Sequence, residues 1–274
     1  MTNHSDKLKS LAQEAQARAA DLRDWFDPGL KDIPVETLKQ RYCDKHSRFV
    51  RVNGLDIHYR DLGPLASGAD KPPLLLIHGL MSSLHCWDVW MPTVSRDRRV
   101  VALDIPPFAI TGPHRKGLLD EATYMQLMLG FVEAIRLERF IAVGNSLGGF
   151  LSWRLAVEAP ERVQALCLLD PADGTERLPL ALFAFKIPAV GKAYQHVTPK
   201  AAVLAGHAAM FGDPGRMDPT SLNRIYDMIM RQGSRAAVQD LRVRTYPGVG
   251  HMPMEEIPAP SLADFQWFLG EIGA

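Results

Sequence analysis

Apolar residues recur at helical spacing near the start of the chain. Leu8, Leu11, Ala12, Ala15, Ala19, Leu22 and Phe26 share one face behind Ser5 as N-cap, and Pro28 with Gly29 ends the run. A second helical pattern covers Val35 to Tyr42. The period then changes to two in FVRVNGLDIHYRDLG, where alternating runs flank Asn53 and Gly54, the signature of a hairpin. Continuous apolar runs follow at LLLIH (74–78), VVALD (100–104), FIAVG (140–144) and VQALCLLD (163–170), separated by helix-like stretches at 86–95, 120–137 and 147–158. Strands that are apolar throughout, alternating with helices, predict an α/β fold: a mostly parallel sheet with helices on both faces.

From Pro171 to Leu241 the pattern is helical and punctuated by prolines. A short strand, RVRTY (242–246), then leads into PGVGHMPMEEIP and a closing amphipathic helix around Ser261 to Ile272. The expected organisation is an N-terminal extension (1–34), an α/β core (35–170 and 242–274) and a helical cap inserted at 171–241.

Composition narrows the function classes. The chain has 274 residues, with 31 basic and 31 acidic side chains in balance. No basic surplus marks a nucleic-acid or anionic-membrane partner. Cys43, Cys86 and Cys167 are scattered and odd in number, which fits a reducing compartment rather than a disulfide framework. The opening MTNHSDKLKS lacks the apolar core of a secretory signal, and the longest apolar candidate, 178–190, is interrupted by Lys186. A cytoplasmic protein without a membrane span is expected. The near-balanced charges of the N-terminal helix suit docking on the body of the protein or on a second subunit, as in a homo-oligomer.

Candidate chemistry centres on GNSLGG (144–149). Glycines on both sides of one serine, between a strand and a helix, form the Gly-x-Ser-x-Gly pattern of a nucleophile elbow. The plainer alternative is a glycine-rich turn with a capping serine. In the first reading the Leu147 amide, at a helix N-terminus, points where negative charge develops. His78 and Gly79 end the strand LLLIH, so that the Leu80 amide can face the same point and complete an oxyanion hole with Leu147. His251, in GVGHMPMEE, follows the last strand and can project over the carboxyl edge of the sheet, where Ser146 also falls. No HExxH, paired CxxC, Walker loop or dinucleotide fingerprint occurs, so neither metal nor nucleotide cofactor is expected.

With FVRVNGLDIHYRDLG, LLLIHGLMSS, DIPPFAITGP, VGNSLGG, ERVQALCLLDPA and YPGVGHMPMEEIP in this order, the sequence resembles the α/β-hydrolase family from about Val35 to Gly270. The resemblance implies a serine hydrolase with Ser146 as nucleophile and His251 as general base beneath the helical cap. The expected substrate is a small or medium apolar carboxylic ester. Carbon-carbon hydrolases that split vinylogous diketones also resemble this chain through their GNS-x-GG elbow and are the enzymatic alternative. A non-catalytic, ligand-binding hydrolase scaffold is the alternative of a different class.

The sequence departs from the family after the cap. Relatives usually carry the triad acid on a further strand, followed by a helix, before the strand that precedes the histidine. Those elements would occupy roughly 25 to 35 residues, and SRAAVQDLR runs directly into VRTYPGVGH instead. Asp240 precedes a strand and should sit at the wrong edge; Asp104 should lie beyond LLLIH from the histidine; Asp213 falls in the cap. Asp170, which ends the strand next to the nucleophile strand, is the candidate acid, in an arrangement resembling some haloalkane dehalogenases. An aspartate before Pro171 is equally a common turn starter. If the last strand fills the vacant place beside VQALCLLD, the histidine loop moves by about 4.8 Å, one strand spacing.

Lesser candidates are structural by expectation. Pro107 and Ala109 stand where relatives usually have glycine, and Phe108 and Ile110 either wall the pocket or simply pack. Trp87 and Trp90 suit a core, His85 suits the surface, and Met210, Phe211, Met228 and Met230 suit an adaptable apolar wall in the cap.

Overall fold

The computed structural model describes residues 25–63, 71–114, 120–172, 188–208 and 218–237. The expected helix at 5–26, the strand 242–246, the closing helix, Asp213, Met210, Phe211, Asp240 and His251 lie outside the described residues, apart from Trp25 and Phe26. Two compact units divide the chain, one holding the sheet from Asp44 onward, the other joining residues up to Cys43 with the helical region.

The sheet unit begins with the hairpin. Strands β1 (Ser47–Val52) and β2 (Leu55–Leu62) pair antiparallel with Val52 opposite Leu55. Asn53 and Gly54 both take positive φ, 47° and 86°, as the two-residue turn that matches strand twist requires. Strands β3 (Leu74–Ile77), β4 (Val100–Leu103), β5 (Phe140–Ser146) and β6 (Val163–Pro171) follow, in the spatial order β1-β2-β4-β3-β5-β6. Only β1 and β2 run against their neighbours; β4, β3, β5 and β6 are mutually parallel. Leu75, Leu76, Ile77 and all of β4 are fully buried, which explains why these segments carry no polar alternation.

Helix α2 (Met91–Val94) is a single turn behind a 3₁₀ turn at Leu84–Trp87, where the sequence suggests one helix over 86–95. Pro92, which lacks an N–H and clashes with a preceding helical turn, begins α2 rather than allowing one continuous helix. Trp87 packs into the core with Leu76, Leu84 and Val143, whereas Trp90 is 42% exposed. Helix α3 (Glu121–Ala134) is capped by the Asp120 carboxylate, which accepts from the Thr123 amide at 2.7 Å. It buries Leu127, Met128 and Phe131. Helix α4 (Leu147–Glu158) leaves the end of β5 without an intervening loop.

Strand β6 is the last strand of the described sheet. Gln164 through Leu168 are exposed, Leu166 at 40% and Leu168 at 38%.

The helical unit contains α1 (Val35–Tyr42), α5 (Pro188–His196), α6 (Lys200–Ala208), α7 (Pro219–Ile229) and α8 (Ser234–Ala237). Helix α1 groups with these helices rather than with the sheet. The cause is a set of long-range bonds. Asp227 accepts from Tyr42 Oη at 2.6 Å and from Arg41 Nη1 at 2.8 Å. Ile33 and Gln232 exchange a backbone bond of 2.9 Å, and Ile33 donates to Met230 O at 2.7 Å. Arg235 is buried and binds Asp32 through Nε and Nη2, while Nη1 donates to the Gly29 carbonyl at 2.8 Å. Met228 and Met230 are buried as well.

Candidate active site

Ser146 is the last residue of β5 and the N-cap of α4, with φ 51° and ψ −120°. An L-residue holds this sparsely populated combination only when its surroundings enforce it, at a cost on the order of 1–3 kcal/mol. The neighbouring glycine supplies the enforcement. A Cβ on Gly144 would stand 2.1 Å from the Gly148 carbonyl oxygen, so the strand and the helix can approach only because that position is bare. The result lifts the serine side chain out of the strand while the first amides of α4, starting with Leu147, have no partner within the helix. Ser146 and Leu147 are both half-buried rather than enclosed.

The turn after β3 abuts this elbow. A Cβ on Gly79 would meet Asn145 Oδ1 at 3.0 Å and Ser146 Cβ at 3.2 Å. His78, fully buried, uses Nδ1–H to donate to the Gly79 carbonyl at 2.7 Å, and its Nε2 accepts from the Ile105 amide at 3.0 Å. Those two bonds fix the tautomer. Because the peptide is planar and trans, tying the Gly79 carbonyl to the buried ring turns the Leu80 N–H away from that ring. Met81 follows in this turn at φ 56°, a positive φ on a non-glycine residue. Burial lowers the His78 pKa, so the ring stays neutral, and its 4.0 Å approach to Asp104 is not an ion pair.

Beneath the turn lies a polar cluster that sequence reasoning did not find. Asp104, wholly buried, accepts from the Leu84 amide at 2.8 Å through Oδ1; its Oδ2 accepts from His58 Nδ1 at 2.7 Å and from the Ile110 amide at 3.2 Å. The backbones of the same two residues are also bonded, the Asp104 amide to the His58 carbonyl at 2.9 Å. Burial by itself raises the Asp104 pKa, but the charge and hydrogen bond of His58 outweigh it and hold the carboxyl at about 2. His85 is buried here too, with Nδ1 3.3 Å from Ser83 Oγ, which corrects its expected surface position. Ile110 and Phe108 are buried, and the Phe108 ring meets His78 edge-on at 6.3 Å. Ala109, where a glycine resembling the family would stand, takes φ 51°.

Strand order places the candidate carboxylates. Asp104 follows β4 and is separated from β5 by β3, on the side expected. Asp170 is the residue before last in β6, the strand beside β5, and is exposed with φ 46°. The end of β6 is stitched to the elbow: Pro171 pairs with Ser146, the Ala172 amide donates to the Ser146 carbonyl at 3.0 Å, and Asn145 Nδ2 donates to the Leu169 carbonyl at 3.0 Å. Among the expected site residues, Ser146, Leu80, Leu147 and Asp170 therefore converge on one edge, and His251 lies outside the described residues. Among the described residues no cluster of His, Cys, Asp and Glu is arranged to hold a metal ion, and no helix is long and apolar enough to cross a membrane.

Comparison with known proteins agrees with this fold. The family profile for the alpha/beta hydrolase fold matches residues 72–209. A 2-hydroxy-6-oxo-2,4-heptadienoate hydrolase of Pseudomonas putida is 32% identical over 125 residues, 44% of this chain and 43% of the relative. A 2-hydroxymuconate semialdehyde hydrolase of a Pseudomonas species is 32% identical over 103 residues, 36% of each chain. The matches thus span less than half the length of these curated relatives. The crystal structure of the Bacillus subtilis carboxylesterase CesB superposes with a TM-score of 0.60 at 19% identity, covering 79% of this chain and 72% of that one.

Proposed function

Because the chain belongs to the α/β-hydrolase fold family, we propose that it is a serine hydrolase whose nucleophile is Ser146 and whose substrate is a small or medium apolar carboxylic ester. The observation that carries the proposal is the strained backbone of Ser146 with the Gly79 turn pressed against it. Strain of this kind is retained where a side chain must be presented to a substrate.

In this mechanism Ser146 Oγ attacks the ester carbonyl carbon, and His251 accepts the hydroxyl proton. The amides of Leu80 and Leu147 hold the oxyanion. Collapse of the tetrahedral adduct expels the alkoxide, which takes the proton from His251, and water then hydrolyses the acyl-enzyme with the same base. Asp170, one strand from Ser146, orients the imidazole.

A second reading keeps the same nucleophile and changes the bond. Both Pseudomonas relatives are named as hydrolases of dienoate or semialdehyde compounds, which favours carbon-carbon cleavage by this chain. A p-nitrophenyl butyrate assay beside the decay of a chromogenic 2-hydroxy-6-oxo-dienoate separates the two activities.

The deciding experiment treats the protein with a fluorophosphonate and locates the adduct by mass spectrometry. Ser146 should carry the label. An unlabelled Ser146 in folded protein would sink the enzymatic reading and leave a non-catalytic ligand-binding scaffold. Labelling together with ester turnover indifferent to Asp170→Asn would remove Asp170 from the mechanism.

A further inference from the structure

Strand β6 breaks register at the elbow. Asn145 stands opposite Leu169, but Ser146 stands opposite Pro171, so Asp170 is left over as a one-residue bulge at φ 46°. The cause is local. In an unbroken parallel ladder the Ser146 carbonyl would meet the backbone nitrogen of residue 171, which is a proline and has no N–H. Skipping Asp170 brings the Ala172 amide there instead, at 3.0 Å.

A bulge disrupts the ladder around it, and here side chains bridge the disruption. Asn145 Nδ2 donates at 3.0 Å to the Leu169 carbonyl, which immediately precedes the bulge. Beyond the bulge, Pro171 fits against the first turn of α4 because Gly149 is bare: a Cβ there would stand 2.7 Å from Pro171 Cβ. The other end of the Asn145 amide faces the turn after β3, where a Cβ on Gly79 would meet Oδ1 at 3.0 Å. One side chain therefore touches both flanks of Ser146.

We propose that Asn145 is a positioning residue: bonded to β6 at the bulge and seated against Gly79, its side chain holds Ser146 in its strained backbone and at the spacing from the Gly79 turn that attack requires. The inference rests on the serine-hydrolase reading and adds a residue to it. A serine at φ 51° and ψ −120° relaxes unless its neighbours hold it. Gly144 permits the close approach of strand and helix, whereas Asn145 supplies a directional bond. Its acceptor fixes the direction of the amide, because Oδ1 turned toward Leu169 would set two acceptors face to face.

Asn145→Asp tests this with almost no change of shape. The ionised carboxylate has no donor for the Leu169 carbonyl. Capture of a fluorophosphonate by Ser146, followed as a rate in the full chain, should slow by about 10- to 100-fold per folded molecule, with ester KM changed less than about threefold. An unchanged rate in the folded fraction, whatever the melting temperature, would reduce the amide to a structural part and overturn the proposal. A raised KM with an unchanged labelling rate would overturn it in favour of direct substrate contact.

The pH profile supplies a signature that a structural part does not give. The facing carbonyl and partial burial raise the new carboxyl above its ordinary value of about 3.9, and its protonated form regains an O–H donor for Leu169. The ratio of variant to native labelling rates should climb at least about threefold from about pH 8 to about pH 5, and a flat ratio would deny the donor its role. Asn145→Ala, which has neither amide nor charge, should show the slowing without that recovery.

Exchange of the Ala172 amide, read by NMR, needs no catalysis. It should quicken at least about tenfold in Asn145→Asp, because its bond to the Ser146 carbonyl spans the bulge. Native protein whose Ser146 takes no label would refute the hydrolase, and quickened exchange in the variant would still retain the brace. A labelled native Ser146, with rate and exchange unaltered in the variant, would refute the brace and retain the hydrolase.

Discussion

His58 Nδ1 lies 2.7 Å from Asp104 Oδ2, and both side chains are completely buried. The register of β2 against β4, with Tyr59 opposite Leu103, brings the two residues face to face at the strand ends. From there one carboxylate reaches the Leu84 amide after the Gly79 turn and the Ile110 amide in the adjoining loop. The pair therefore fastens two loops that flank the elbow.

Asp104→Asn should be strongly destabilising. The amide group must point its N–H₂ at one set of donors that the carboxylate satisfied, and the His58 ring loses its ionised acceptor. Breaking a buried pair in this way costs about 3–5 kcal/mol. Urea unfolding measured by circular dichroism checks it, and a loss below about 1 kcal/mol would deny the pair its fastening role.

Acid should release the same restraint. The Asp104 carboxyl is held at about 2, below its ordinary 3.8. A depressed carboxylate contributes stability that is complete above the unfolded value and disappears as pH falls through the folded one. Unfolding free energy should thus decline between about pH 4 and pH 2, by on the order of 2 kcal/mol from this group. Subtracting the pH profile of Asp104→Asn from that of the native protein isolates the contribution.

Gly144→Ala tests the elbow itself. The added methyl would stand 2.1 Å from the Gly148 carbonyl oxygen, a backbone atom that cannot step aside. Stability should fall by about 3 kcal/mol or more, within the range of severe overpacking. Thermal melts would show the loss, and an unchanged melting temperature would mean that the strand and helix are not so close.

At Gly79 the effect should fall on chemistry rather than folding. A methyl there meets Asn145 Oδ1 at 3.0 Å and Ser146 Cβ at 3.2 Å, tight contacts that neighbouring side chains relieve by shifting a few tenths of an ångström. On the proposed serine-hydrolase reading, Gly79→Ala should retain the fold and lower ester kcat by about 10- to 100-fold, because Ser146 and the amides proposed to hold the oxyanion would be displaced. Parallel melting curves and steady-state kinetics distinguish this from simple destabilisation.

Arg235→Ala should loosen the helical unit. Asp32 and the Gly29 carbonyl lose their common donor, at a cost of about 2–4 kcal/mol. Hydrogen exchange should accelerate in α1 and α7, and unaltered protection would show that the backbone bonds of Ile33 suffice.

The local elements were written plainly in the sequence. Asn53-Gly54 specifies its turn because both residues tolerate positive φ, and the boundaries of α1 and α4 follow from Pro34 and from the glycine-serine elbow. Ser146 could be placed at a strand-to-helix elbow because that turn depends on short-range backbone chemistry. Asp170 could be proposed only through the expected strand order; β6 does lie beside β5, with Pro171 rather than Asp170 opposite Ser146.

What pairs across long separations was not legible. The bond between His58 and Asp104 depends on strand register, and nothing within either segment announces it. Pattern alone gave α1 to the core, whereas Asp227 claims Arg41 and Tyr42 from far along the chain. Trp87 and Trp90 stand three apart in the same segment, yet Trp87 is buried in the core and Trp90 is 42% exposed. Periodicity records what each segment must bury; only the packed sheet decides which neighbour buries it, because that choice is settled by contacts summed over distant residues rather than by any local preference.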